Sequence, residues 1–276
     1  MEKLRLIYHY LKEKYLLLSL RKYTTIAGTL VFFLIMSIVP LSFWLTLLVG
    51  KLPIDPNDVL ALPVFESVQN VLVYVQQEAA TATASASVIL LFTTLYSSTN
   101  LFYQIRRSGE LIYDYHPQRQ GLKLRVGALI LLIMVMSLVV VFLLVFALGS
   151  FVFAQLLPRV WELIADYTLL SVVAFLLILL LNVYICPYKA SMRYFLSGTF
   201  ITLGLWAVAI IGFSVYLRIS NVTRLYGALS AVIVFLLWLY ALMVGFIIGV
   251  IFNSEKILLA KRQKRIKIRK SHILPV

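Results

Sequence analysis

Six stretches of this chain, 26–50, 79–103, 126–157, 169–186, 195–217 and 225–252, contain no Asp, Glu, Lys or Arg. A helix needs about 20 apolar residues to cross a hydrocarbon core of about 30 Å. Irregular backbone cannot face that core, because its N–H and C=O groups would go unpaired. The pattern therefore predicts an all-α polytopic membrane protein, with six transmembrane helices in one bundle. Composition points the same way: 62% of residues are hydrophobic and 13% charged, where a soluble domain carries about a quarter charged.

The basic residues between these stretches are unevenly shared. Of 25 Lys and Arg, all but Lys51, Arg159, Arg218 and Arg224 lie before the first stretch, in the loops after the second and fourth, or after the sixth. Lys and Arg hold short loops on the cytoplasmic side. Both termini are therefore expected in the cytoplasm, as flanks 1–25 and 253–276 around a membrane domain 26–252. The opening run with Lys3, Arg5, Lys12, Lys14, Arg21 and Lys22 is too long and interrupted for a signal-peptide start. The first span is expected to be retained.

A net charge of +14 would suggest nucleic acid for a soluble chain, but here the cations sit at the ends of apolar segments. Anionic lipid headgroups are the expected partner, attracted by about 1 kcal/mol per charge near the surface. The run from Lys261 to Lys270 is the densest such segment; RNA binding is its less favoured alternative. Residues 4–18 place Leu4, Ile7, Leu11, Tyr15 and Leu18 at helical spacing, predicting an amphipathic helix on the inner leaflet. Val64, Val68, Val71, Leu72 and Val75 form a similar stripe on the other side, either capping the bundle or resting at the interface. The third stretch is longer than the bilayer needs, so it is expected to tilt or project outward, either walling a cavity or continuing into water.

Without buried charge, proton relays and carboxylate-based ion coupling lack their usual signature. Attention moves to helix breakers, amides and aromatic rings. Pro40 removes a helical hydrogen bond in the first span, and Ser37 is placed to satisfy the freed backbone. Such a kink lines a cavity or serves packing. Trp206 and Trp238 fall in mid-span, away from the headgroup level that tryptophan prefers. With Tyr240 they either line a path for an amphipathic molecule or fill a helix interface. Asn100 and Asn182 are expected to hydrogen-bond between helices. Small residues cover 79–87, allowing close helix approach, and Gly245 with Gly249 forms a G-x-x-x-G pair read as an internal contact ahead of a dimer contact.

No catalytic constellation is visible. His9, His116 and His272 lie outside the spans, and Glu110, Asp114 and His116 have no metal-ligand spacing. Cys186 is a lone cysteine, so no internal disulfide, cofactor or metal is expected. Asn221-Val222-Thr223 matches a glycosylation acceptor but sits in a very short loop.

Ser37 with Pro40-Leu41, Leu95-Tyr96-Ser97-Ser98, and Trp238-Leu239-Tyr240 with Gly249, in that order along the chain, resemble motifs of the YihY/BrkB family of bacterial inner-membrane proteins. The Ser37 to Pro40-Leu41 spacing is similar to its opening motif, and Leu95-Tyr96-Ser97-Ser98 followed by Leu122-Lys123-Leu124-Arg125 to its second. Tyr226-Gly227-Ala228-Leu229, Trp238-Leu239-Tyr240 and Gly249 resemble its close, with Arg193, Gly198, Trp206 and Tyr216 also in place. Two features depart from the pattern. Ile251 replaces an acid between Gly249 and Asn253, and an Asn is missing from the second loop. The resemblance implies an envelope membrane protein, with export or transport as the activity and Tyr226 and Gly227 among the candidate residues. Members also carry a ribonuclease label; this chain lacks the grouped carboxylates or His pair that a nuclease needs. The sequence-based expectation is thus a transporter or exporter of a lipid-like molecule. A non-transporting scaffold is its rival and a membrane ribonuclease a remote third, with oligomeric state open.

Overall fold

The structure, a computed structural model, describes residues 2–49, 73, 77, 88–116, 121–156, 159–219 and 230–273. Among these the regular elements are helices: α1 (Glu2–Leu20), α2 (Tyr23–Val49), α3 (Val88–Ile112), α4 (Gly121–Leu156), α5 (Arg159–Ile185), α6 (Arg193–Ile219) and α7 (Ser230–Ile273). Helix neighbours run in sequence order from α2 to α7, and α7 returns to α2 to close the ring. α3 also reaches α5 and α7, which places it toward the middle.

Four described segments are long and apolar enough to cross a membrane: Gly121–Phe146, Ile164–Ile185, Arg193–Tyr216 and Val232–Gln263. A fifth arises if Lys12–Leu20 and Tyr23–Ile38, bent by 52°, form one broken span. Their outward faces show why hydrocarbon is the surrounding medium. Val126, Ile130, Ile133, Val141 and Val145 on α4 are exposed, as are Phe200, Val208, Ile211 and Val215 on α6. These positions recur every three or four residues, or at multiples of that step. In water such a stripe would be buried; here it is the face left for lipid.

The boundaries differ from the sequence reading in instructive ways. The first span was expected as a single element from 26, whereas α2 starts at Tyr23 directly after α1. The second was expected over 79–103, but α3 is described from Val88 and runs on to Ile112, carrying Arg106, Arg107 and Glu110. Those charges lower its mean apolarity, and residues 79–87 lie outside the described part. α4 starts at Gly121 and takes Lys123 and Arg125 into the helix. Its 36 residues reach about 54 Å at about 1.5 Å each, with the added length on the basic side. α7 has 44 residues and continues past Phe252 without a break. Nothing stops it, because 253–273 contains neither Pro nor Gly and is rich in good helix formers.

The turn between α1 and α2 has Lys22 at φ 50°. Its N–H donates to Ser19 O at 3.0 Å and its C=O accepts from Ile26 N at 3.1 Å, so one residue ends α1 and starts α2. α3 ends in a Schellman motif, with Asp114 at φ 50°, Tyr115 N donating to Glu110 O at 2.9 Å and Asp114 N to Leu111 O at 3.4 Å. The main buried cluster joins Ala27 and Leu30 of α2, Phe102 and Ile105 of α3, Ala128 and Leu131 of α4, Phe195 of α6, and Phe246 and Ile251 of α7. Tyr15, Leu16 and Leu20 of α1 are exposed while Leu17 and Leu18 pack inward. Of the stripe expected to lie on the inner leaflet, Tyr15 is exposed and Leu18 packs inward; the side chains of Leu4, Ile7 and Leu11 lie outside the described residues, as do Val64, Val68, Val71, Leu72 and Val75.

Candidate functional site

The densest polar arrangement inside the bundle joins α5, α6 and α7. Asn253, fully buried, donates from Nδ2 to Asn182 Oδ1 at 2.9 Å and to Phe195 O at 3.3 Å. Its Oδ1 accepts from Gly198 N at 2.8 Å and Ser197 Oγ at 3.5 Å. Asn182 in turn donates to Ile178 O at 3.0 Å and Thr199 Oγ1 at 3.3 Å, and Thr199 donates to Phe195 O at 2.9 Å. An amide has two donors and two acceptor sites. Asn253 uses all four, so the network adds no unpaired group to an apolar interior.

Glycine makes this closeness possible. A Cβ on Gly198 would strike Gly249 O and the Asn253 amide, and one on Gly249 would strike Thr202 Oγ1 and lie 2.5 Å from Gly198 O. Gly245 is roomier: a Cβ there meets Leu205 and Trp206 at 3.2 Å. The space beside it admits the Trp206 indole, whose Nε1 donates to Leu242 O at 2.8 Å. A mid-span tryptophan thereby finds its acceptor in the neighbouring backbone. The G-x-x-x-G pair faces α6 of the same chain.

The other residues singled out from sequence lie apart from this knot. Ser37, buried in α2, donates to Ser97 O of α3 at 3.2 Å, so this bond crosses between helices instead of repairing the backbone at Pro40. α2 continues through Pro40 to Val49. Trp238 stacks on Phe235 with centroids 6.4 Å apart, beside Val31 of α2, and Tyr240 packs against the core. Asn100 accepts from Arg125 Nη1 at 3.1 Å, while Arg125 Nη2 donates to Tyr96 Oη at 3.1 Å. The guanidinium lies 4.6 Å from the Tyr96 ring centre and 4.3 Å from that of Tyr103. Tyr226 and Gly227 lie outside the described residues.

At the basic end a second set of contacts, not foreseen from sequence, binds the helix ends. Gly109 lets α3 approach α5 so closely that a Cβ would strike Ile185 O. One turn earlier, Arg106 donates to Tyr184 O at 2.6 Å and also to Cys186 O. A cation on carbonyls at a helix C-terminus meets the negative end of its dipole. Lys14 of α1 pairs with Glu255 of α7 at 2.5 Å, and Lys261 lies 3.4 Å from the Tyr188 ring centre. Glu110 pairs with Arg107 at 2.8 Å, so it is occupied within its own helix. Burial pushes the Tyr113 phenol above the usual tyrosine value, with Cys186 adding and Arg106 opposing.

Between α5 and α6, on the outward face, lies a groove of about 640 Å³ lined by Ile164, Tyr167, Thr168, Ser171, Val172, Phe175 and Phe200. Phe175 and Phe200 close one end with ring centres 5.2 Å apart. Its wall is mostly apolar with a few hydroxyls. That chemistry suits an acyl chain or another amphipathic surface, and holds no nucleophile paired with a base.

Comparison with curated proteins and with solved structures finds no significant match. The Virulence factor BrkB family model matches residues 18–270, which takes in α2 to α6 and all but the last residues of α7, and this multi-pass membrane chain belongs to that family.

Proposed function

We propose that the protein is a six-span protein of the bacterial inner membrane, both ends cytoplasmic, that moves or exports a lipid-like or otherwise amphipathic envelope molecule. The six spans are α2, α3 with the residues before it, and α4 to α7. The excess of Lys and Arg at the basic end supports the orientation. The groove of about 640 Å³ between α5 and α6 carries the functional reading. It is apolar, faces the lipid side and offers Tyr167, Thr168 and Ser171 as polar contacts. The reading assigns no catalytic step.

Proteoliposomes carrying a panel of labelled phospholipids and single-chain amphiphiles test it. Protein-dependent flux of at least one member is expected, falling several-fold in Phe200→Ala. Flux equal to that of empty vesicles across the panel would refute transport.

A scaffold reading draws on a different observation. Trp206 and Trp238 are occupied in packing, and α7 projects a long basic extension beyond its span. Under that reading, removing residues 261–273 releases bound partners in cells, while vesicles show no flux.

A further inference from the structure

We propose that the elbow between α1 and α2 holds a binding site for a phosphate group, carried either on a lipid headgroup or free. A cavity of about 390 Å³ opens there, lined by Arg21, Lys22 and Thr25 from the elbow side and by Gln104, Arg107 and Ser108 of α3. Leu20, Ile26 and Leu111 complete its wall. Three cations and several neutral donors thus surround a space with an apolar margin, which is the composition a phosphodiester attached to hydrocarbon requires.

Two of the three cations are not neutralised by a partner among the described residues. Arg107 pairs with Glu110 at 2.8 Å, but among the described residues no carboxylate pairs with Arg21 or Lys22. Ser108, buried in α3, lines this cavity opposite the elbow.

Backbone geometry adds an independent argument. Lys22 adopts φ 50°, a left-handed conformation that glycine takes freely and a β-carbon disfavours. A lysine stands here where glycine fits better, and it lines the cavity. Strain of this kind gathers at binding sites.

The site rests on the proposed orientation only for which leaflet it faces. With the termini in the cytoplasm, the elbow lies at inner-leaflet headgroup height. Binding at equilibrium requires no transport, so the two readings can fail separately.

The test uses the full-length protein in an uncharged detergent, titrated with short-chain phosphatidylglycerol, short-chain phosphatidylcholine and inorganic phosphate. Phosphatidylglycerol is expected to bind more tightly than the zwitterionic lipid. Arg21→Gln combined with Lys22→Gly should weaken it by about tenfold or more, from the loss of charge-assisted hydrogen bonds. Lys189→Gln, which removes an exposed charge at the same end, should change it less than about twofold. Glycine suits the backbone at position 22, so a melting temperature no lower than that of the unaltered protein separates lost charge from lost fold. Competition by inorganic phosphate identifies a free-phosphate site; binding of phosphatidylglycerol without such competition identifies a headgroup site. Equal weakening in the double and control variants, or no binding of either probe, overturns the proposal. Absent flux with intact charge-dependent binding would instead refute transport alone.

Discussion

Two regions of the same helix pair differ sharply. Near the basic end, α5 and α6 meet at Asn182 and Thr199, where α7 adds Asn253 and two glycines remove any space for a side chain. Toward the other end, the same helices leave an outward groove beside Tyr167, Ser171 and Phe175. The first region is intolerant of added atoms and satisfies its polar groups internally. The second has room, and its aromatic rim faces lipid. Under the proposed function, the knot holds the helices together and the groove is where a transported molecule would make contact.

Gly198→Ala should break this contrast most severely. The new methyl meets a carbonyl and an amide that cannot move aside, so about 3 kcal/mol or more of stability should be lost, measured as melting temperature in detergent. A mild variant here would mean that the α6–α7 crossing is looser than described. Asn253→Ala comes next, at about 2 to 4 kcal/mol, because it leaves Asn182 Oδ1 and Phe195 O without this partner. Arg106→Ala should cost about 2 kcal/mol by freeing carbonyls at the end of α5. Gly245→Ala should cost only about 1 kcal/mol, since its neighbours at 3.2 Å include an indole edge that can shift. Lys22→Gly runs the other way, with a gain of about 1 kcal/mol from relieving a left-handed lysine.

Much of the architecture was legible from the hydrophobic pattern. The apolar stretches of α4 to α7, the interhelical role of Asn182 and the internal contact of Gly249 all follow from local composition. The site was less legible, for identifiable reasons. Asn253 falls just beyond the last apolar stretch, in the flank expected to be cytoplasmic, yet α7 carries it into the bundle with no exposure. Gly198 lacks a second glycine four residues on; Thr202 takes that place, and the small-residue spacing Gly198 to Thr202 was the available signal. Arg106 counted only as a positive charge beside a span. Its capping role depends on Gly109, whose own purpose is visible only when α5 is placed against it. Trp206 and Trp238 were equally compatible with a path or a packed interface, because a sequence cannot show which acceptor an indole finds.

The most direct test of the account fills the groove and leaves the knot alone. Ser171→Trp places an indole between Thr168 and Phe175 on an exposed face, and flux and melting temperature are then measured on the same reconstituted preparation. The account predicts lost flux with an unchanged melting temperature; flux equal to that of the unaltered protein would contradict it.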